Sequence, residues 1–199
     1  HADTIEAPEA ITRGLVSNYQ SGAPPTDTDY SNAVTQDQDG GVAETPSDPG
    51  YFIPSYLEYQ SGNFEHQGEA VKNWEENRRH GILSLATGAG KTITALIAGH
   101  RLYEELEEEP LLIVIAVPTL PLVEQWIDEC AEFGLNPVNF RNAGPNQRQE
   151  RLQSVLRPLN FGVRDLAVVV VTHNGLLDAE FQSLIRGAGC TRLLIADEM

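Results

Sequence analysis

A short glycine-bearing stretch constrains this chain more than any other feature, because few folds offer such a stretch its setting. It occupies residues 87–92 with the sequence Thr-Gly-Ala-Gly-Lys-Thr. An apolar run at residues 82–86 precedes it, and an amphipathic run begins at Ile93. Strand, glycine loop and helix in this order are the setting of a phosphate-binding loop. The sequence therefore predicts a nucleoside-triphosphate site here.

The residue types of the loop each suit a task in holding phosphate. Gly88 and Gly90 lack a Cβ, so the backbone can curl and point successive N–H groups at one anion. The helix that follows adds the partial positive charge of its N-terminus. Lys91 can reach the β- and γ-phosphates, and the Thr92 hydroxyl can ligate Mg²⁺. The strict motif has a glycine where this chain has Leu85. The predicted nucleotide-binding residues of the loop are Thr87, Gly88, Ala89, Gly90, Lys91 and Thr92.

Composition divides the chain near residue 50. Residues 1–50 are rich in Asp, Thr, Ser, Gly and Pro and hold few large apolar side chains. Such a segment buries too little apolar surface to offset its chain entropy. We expect it to be an acidic disordered linker or the tail of an upstream domain, with a short helix possible at residues 5–19. Residues 51–199 have the composition of a folded domain, and we expect the whole to be a fragment of a longer protein.

The charge of the chain limits the surfaces that it can offer to a partner. The formal net charge is −16, and Lys72 and Lys91 are the two lysines of the sequence. An acidic, lysine-poor composition favours a halophilic cytoplasm, although an ordinary acidic protein remains an alternative. It argues against nucleic-acid binding through bulk electrostatics. No apolar run reaches about eighteen residues, so we expect no membrane span. Cys130 and Cys190 are too few to indicate a disulfide framework or a zinc site.

Apolar runs alternate with helical patterns in the second part of the chain. The run at residues 111–117 is apolar throughout, as expected for a strand buried on both faces. Strand alternating with helix predicts an α/β fold with a mostly parallel sheet flanked by helices. The predicted strands are 82–86, 111–117, 137–140, 166–172 and 193–196, and the predicted helices are 68–79, 91–108, 120–133, 146–156 and 175–185.

Two adjacent carboxylates, Asp197 and Glu198, follow the last apolar run. In an open parallel sheet, ligands bind beyond the carboxyl ends of the strands. The predicted phosphate loop also follows a strand, so we expect Asp197 to lie near Thr92 and to serve the same Mg²⁺ ion. Glu198 can polarise the water that attacks the γ-phosphate. Taken alone, an Asp-Glu pair after a strand also suits a loop start or a helix cap.

These motifs together carry a family resemblance. Residues 51–199 resemble the first RecA-like domain of a superfamily 2 nucleic-acid helicase or translocase, closest to the restriction-enzyme and XPB-like DEAD/DEAH-box branch. The stretches that carry the resemblance are 86–92 (motif I), 117–126 (motif Ia), 169–176 (a later strand-end motif) and 197–198 (the start of motif II). The resemblance implies a RecA-like P-loop NTPase truncated after motif II, with ATP and Mg²⁺ as cofactors.

The resemblance also implies contacts and partners. Gln67, in a stretch similar to a Q-type motif, would read adenine, although a helix-start Gln facing water is an alternative. Pro118, Thr119 and Thr172 would hold a nucleic-acid backbone, DNA rather than RNA. Helix N-capping is the competing interpretation for both threonines. A second RecA-like domain in the same full-length chain would supply arginines in trans, and the catalytic residues would be Lys91 and Glu198.

Two other classes of protein remain open. Another P-loop NTPase, such as a small-molecule kinase or a protein-remodelling ATPase, shares the loop but usually lacks a run like residues 117–126. A non-hydrolysing, nucleotide-gated scaffold in a defence or repair complex is the second alternative. The sequence has Trp74 and Trp126, and both are expected to be core residues rather than stacking platforms for bases.

Overall fold

The chain is described by a computed structural model that covers residues 50–86, 88–107 and 109–198. The expectations for residues 1–49, an acidic linker with a possible helix at residues 5–19, fall outside the described residues. Across the described part of the chain, no helix is long and apolar enough to cross a bilayer.

The described residues form helices that alternate with short strands. A 3₁₀ turn, Gly62–Phe64, leads into the first helix. The helices are α1 Glu65–Glu76, α2 Lys91–Leu106, α3 Leu120–Glu132, α4 Pro145–Asn160, α5 His173–Leu176 and α6 Ala179–Arg186. The strands are β1 Leu111–Val117, β2 Val138–Asn139, β3 Leu166–Thr172 and β4 Thr191–Ala196.

The four strands make one parallel sheet in the order β2-β3-β1-β4. All seven residues of β1 are buried, because β1 has a neighbour on each side and helices over both faces. β4 lies at the edge of this sheet, and its residues alternate between half-buried and exposed, with Leu194 54% exposed. The predicted α/β architecture is therefore present, with its most apolar strand at the centre.

Helices cover the two faces of the sheet. Apolar side chains of α1, α2 and α3 pack with Ile113, Ile115, Leu193 and Ile195 on one face. Apolar side chains of α4 and α6 pack with the alternate strand residues, such as Val114, on the other face. Because strand side chains alternate between faces, each strand contributes to both cores.

The direction of α2 follows from a hydrogen bond in its last turn. The Tyr103 hydroxyl donates to the Asp165 carboxylate at 2.6 Å, and Asp165 directly precedes β3. Burial and this bond to a carboxylate raise the pKa of Tyr103 to about 12. The C-terminal end of α2 therefore lies where the strands begin. Its N-terminal end, at Lys91, lies at the edge where the strands end, because helix and strands have similar lengths.

One predicted strand is absent, and this is a correction to the sequence prediction. Residues 82–86 form no strand and pair with none of the described strands. Ile82 is 95% exposed. An apolar run has the composition of a strand whether or not a neighbouring strand is present to pair with it. Residues 82–86 have that composition but no neighbouring strand for their backbone hydrogen bonds, so the prediction of a strand is wrong.

Smaller differences concern element ends. The weak strand predicted at residues 137–140 is the two-residue β2, and the helix predicted at residues 175–185 is divided into α5 and α6. The Asp178 carboxylate accepts a hydrogen bond from the Phe181 N–H, which starts α6 as a separate helix.

Candidate nucleotide-binding site

The glycine loop has the left-handed backbone that its composition predicts. Gly88 has φ +80° and Gly90 has φ +79°, and Gly90 is the N-cap residue of α2. Residues other than glycine rarely adopt this backbone conformation. The Ala89 N–H donates to the Ala86 carbonyl at 3.1 Å, which closes a turn. The loop therefore ends directly at a helix N-terminus, the arrangement that suits phosphate. Thr87 lies outside the described residues.

The loop packs against the start of α1. A His66 ring nitrogen is 3.1 Å from the Ala89 carbonyl oxygen. A Cβ added at Gly90 would lie 2.4 Å from the Gln67 amide nitrogen, so any other residue here would displace the Gln67 side chain. Gln67 is 2% exposed, and its Oε1 has no hydrogen-bond partner. A buried amide oxygen without a partner is costly, and a ligand that donates a hydrogen bond would satisfy it.

Lys91 is folded back over its own loop. Its ammonium donates to the Leu85 carbonyl at 3.1 Å and more weakly to the Ala86 carbonyl at 3.4 Å. Both acceptors are neutral, and a phosphate oxygen would be a stronger, charge-assisted acceptor for the same ammonium. Thr92 is half-buried in the first turn of α2.

Asp197 is fixed at the end of β4 by three hydrogen bonds. Its N–H donates to the Ala116 carbonyl at 2.9 Å, which continues the pairing with β1. Its carboxylate Oδ2 accepts from the Trp126 indole N–H at 3.0 Å. Its carbonyl oxygen is 3.0 Å from the His173 Nε2. Glu198 follows as an exposed residue with φ +51°, a left-handed conformation that turns the chain away from the strand.

The two predicted halves of the site share one edge and one face of the sheet. Lys91 begins α2 at the carboxyl edge, and Asp197 directly follows β4 at the same edge. The bond from Trp126 of α3 places the Asp197 side chain on the α2 and α3 face. Glu198 lies next in the chain, with its exposed side chain at the same edge.

The residues predicted to contact nucleic acid lie at the ends of neighbouring strands. Val117 and Thr172 are partners in the β1–β3 register, and Pro118 and Thr119 follow β1 directly. The Thr172 hydroxyl accepts from the Gly175 N–H at 3.2 Å, so the capping interpretation holds for its oxygen. Thr119 is exposed at the N-cap position of α3 but makes no side-chain capping bond. The Thr119 hydroxyl is therefore not used to cap the helix.

Comparison with known proteins assigns the chain to a family. A family model described as "Type III restriction enzyme, res subunit" matches residues 61–199, more than half of the chain. The chain belongs to this family. The DNA 3'-5' translocase XPB2 of Sulfurisphaera tokodaii is 36% identical over 69 residues, which are 35% of this chain and 14% of that relative. No solved structure matches the chain.

Family membership confirms the sequence resemblance. The domain is of the superfamily 2 helicase type, and the parallel sheet with flanking helices agrees with the predicted RecA-like α/β class. Helicase, ATP-binding and DNA-binding character hold at the level of this family.

The residues present fit a magnesium-bound nucleotide. The described residues contain no group of three or more His, Cys, Asp or Glu side chains able to hold a metal alone. Mg²⁺ is usually bound by one or two protein groups together with substrate phosphates and water. One carboxylate, Asp197, and one hydroxyl, Thr92, suit that mode, and the unpartnered Gln67 oxygen suits a purine amino group.

Sequence reasoning missed three contacts of the site. His66 against Ala89, Trp126 against Asp197 and His173 against Asp197 were not predicted. Trp126 was expected in the core and is buried there, but it also donates to the site. A buried indole N–H needs an acceptor, and that rule was the available signal for this contact.

Proposed function

We propose that this chain is the ATP-binding half of an ATP-dependent helicase or translocase motor that acts on DNA. The observation that carries this proposal is the shared edge and face of the Lys91 end of α2 and the Asp197 carboxylate. A charged lysine and a charged aspartate on the same face suit the two sides of one metal-bound triphosphate. The family supports the class of motor, and the relative named as a DNA translocase favours DNA over RNA.

The residues divide the work of binding ATP and Mg²⁺. We propose that Gln67 receives the adenine amino group and that the loop from Thr87 to Lys91 holds the phosphates. Thr92 and Asp197 would ligate the metal, which supplies charge neutralisation for the transferred phosphoryl group. Glu198 would hold the attacking water and accept its proton.

DNA would be held through local groups rather than bulk charge. The formal net charge of −16 repels a polyanion, so binding must depend on N–H and hydroxyl groups that contact phosphates. Pro118, Thr119 and Thr172 occupy the ends of neighbouring strands, and the Thr119 hydroxyl is free for such a contact. We propose a cytoplasmic, salt-rich setting, which would weaken the repulsion by screening.

Full activity would need a second RecA-like domain in the same full-length chain. We infer that the 199-residue chain alone binds ATP weakly and hydrolyses it very slowly, because the resemblance implies that the trans-acting arginines would come from that domain. Rapid, DNA-stimulated hydrolysis by the 199-residue chain would contradict this division.

The experiment is an ATPase assay on the full-length protein with and without duplex DNA. We expect DNA-stimulated phosphate release, and a fall of roughly 10²–10⁴-fold in Glu198→Gln, because that change removes the general base. Nucleotide binding should survive in this variant. Glu150→Gln is the matched control, since Glu150 is exposed on α4 over the other face of the sheet. Tight nucleotide binding with no hydrolysis under any condition would favour the non-hydrolysing scaffold instead.

A further inference from the structure

Asp197 is bonded by side chains from two different segments. Trp126 of α3 donates its indole N–H to the carboxylate at 3.0 Å. His173, the first residue of α5, lies 3.0 Å from the Asp197 carbonyl oxygen. These segments begin next to Thr119 and Thr172, so both proposed DNA-contacting segments are bonded to the proposed metal ligand.

The burial of Trp126 makes its bond specific. Trp126 is 3% exposed, and the indole N–H is a donor with no acceptor capacity. Water has little access to it, so loss of the carboxylate partner would leave a buried donor unsatisfied. Packing with the apolar cluster of α2 and α3 fixes the ring, and the ring in turn fixes one carboxylate oxygen.

A neutral donor orients the carboxylate without cancelling its charge. Among the described residues, none of the ion pairs includes Asp197. An arginine in the place of Trp126 would also orient the carboxylate, but it would compete with a cation for it. The indole engages Oδ2 and brings no positive charge to the carboxylate, and no hydrogen bond to Oδ1 is found among the described residues.

We propose that Trp126 is a positioning residue for the metal-bound nucleotide: its indole N–H holds Oδ2 of Asp197 so that Oδ1 faces the cation. His173 fixes the backbone of the same residue. This inference rests on the proposed function, because it assumes that Asp197 serves a metal. Groups that orient metal ligands typically change metal affinity by roughly 10–100-fold when they are removed.

The test uses the two tryptophans of the sequence, Trp74 and Trp126. In the 199-residue chain carrying Trp74→Phe, Trp126 is the remaining tryptophan, and its emission is recorded with a non-hydrolysable ATP analogue. We expect the emission to change when Mg²⁺ replaces EDTA, because the cation draws charge from the carboxylate that accepts the indole N–H. Asp197→Asn in the same background should abolish this metal-dependent change.

The reverse variant, Trp126→Phe, keeps an aromatic ring but loses the donor. Equilibrium dialysis should show an affinity for the analogue with Mg²⁺ that is about 10–100-fold weaker than in the parent chain. The affinity in EDTA should be unchanged, and the emission of Trp74 should not respond to Mg²⁺. A merely structural role would lower both affinities together.

The outcomes separate this inference from the proposed function. If Mg²⁺ tightens nucleotide binding but leaves the Trp126 emission unchanged, the positioning role is wrong and the nucleotide site stands. If Trp126→Phe does not fold, the emission of the Trp74→Phe chain still decides. If dialysis of the full-length protein, with its second RecA-like domain, also detects no nucleotide binding, the proposed function fails, and this inference fails with it.

Discussion

The acidic half of the candidate site is built into the sheet, whereas the phosphate-loop half lies outside it. Asp197 is held by β1, α3 and α5 through three hydrogen bonds. The segment before the loop, residues 82–86, forms no strand and pairs with no described strand. The loop contacts the start of α1, and its Lys91 ammonium bonds back to the Leu85 carbonyl in the segment before the loop.

This difference indicates which half of the site would change more when a metal-bound nucleotide binds. A carboxylate with its backbone and one oxygen already bonded loses little freedom when a cation binds. A loop with few hydrogen bonds to the core has low local stability and gains most from a bound anion. The Asp197 carboxylate is therefore positioned before the metal binds, whereas residues 88–92 of the loop would gain stabilising contacts when the phosphates bind.

The largest expected effect compares two isoleucines. Ile113→Ala in the fully buried β1 should lower the free energy of unfolding by about 2–5 kcal/mol, because it leaves a cavity at the centre of the sheet. Ile82→Ala, in the segment outside the sheet, should change it by less than about 0.5 kcal/mol. Chemical denaturation measures both. A large loss from Ile82→Ala would show that residues 82–86 are part of the cooperative core.

The next effect compares the two lysines. Lys91→Ala should weaken ATP binding by about 10–100-fold, because a charge-assisted bond to phosphate contributes roughly 1.5–3 kcal/mol. Its melting temperature should stay near that of the parent, since the hydrogen-bond acceptors of Lys91 among the described residues are the Leu85 and Ala86 carbonyls, in the segment outside the sheet. Lys72→Ala, on the exposed side of α1, is the matched control and should leave binding unchanged. Equal losses in both variants would contradict a specific role for Lys91.

A smaller effect compares two glycines at helix starts. Gly90→Ala places a Cβ against Gln67 in a residue with φ +79°. The left-handed conformation should cost the alanine about 1–2 kcal/mol. We expect this strain to weaken nucleotide binding. Gly144→Ala, at the N-cap of α4, meets no atom within 4 Å and has φ −69°. Calorimetric titration with ATP should therefore separate them. Unchanged affinity in Gly90→Ala would mean that the loop conformation is not the one that binds phosphate.

The smallest effect concerns the anchored end of α2, opposite the loop. Burial, and after it the bond to Asp165, raises the pKa of Tyr103 from the ordinary value of 10 to about 12. The neutral hydroxyl therefore contributes stability that is complete below about pH 10. That stability is lost as the pH rises towards 12. The urea midpoint of Tyr103→Phe should lie slightly below that of the parent at pH 8 and should converge with it near pH 12. The difference between the two proteins removes the contribution of Tyr56, whose pKa is also raised to about 12.

The sequence predicts elements well where one local pattern decides them. The apolar runs of β1 and β3 and the glycine loop before α2 follow from composition and spacing alone. Each of these patterns is complete within a few consecutive residues, so the element can be predicted without knowing which distant residues it contacts. For the same reason the carboxyl-edge position of Asp197 could be expected from a parallel sheet.

The remainder depends on partners that are distant in the chain. Residues 82–86 have a strand-like composition but no neighbouring strand, and composition does not show that absence. The bond from Trp126 to Asp197 joins residues 71 positions apart, and the rule that a buried indole needs an acceptor does not say which residue supplies it. The contact of the His66 ring with the Ala89 carbonyl likewise joins residues 23 positions apart.

The scarcity of lysine has a practical consequence for chemical footprinting. An amine-acylating reagent would meet two side-chain amines in this sequence, one exposed on α1 and one tied to loop carbonyls. The first is an internal reference for reagent strength, and the second reports on its surroundings. Mass spectrometry of a single labelled sample thus yields a ratiometric readout of occupancy, without introducing any foreign probe.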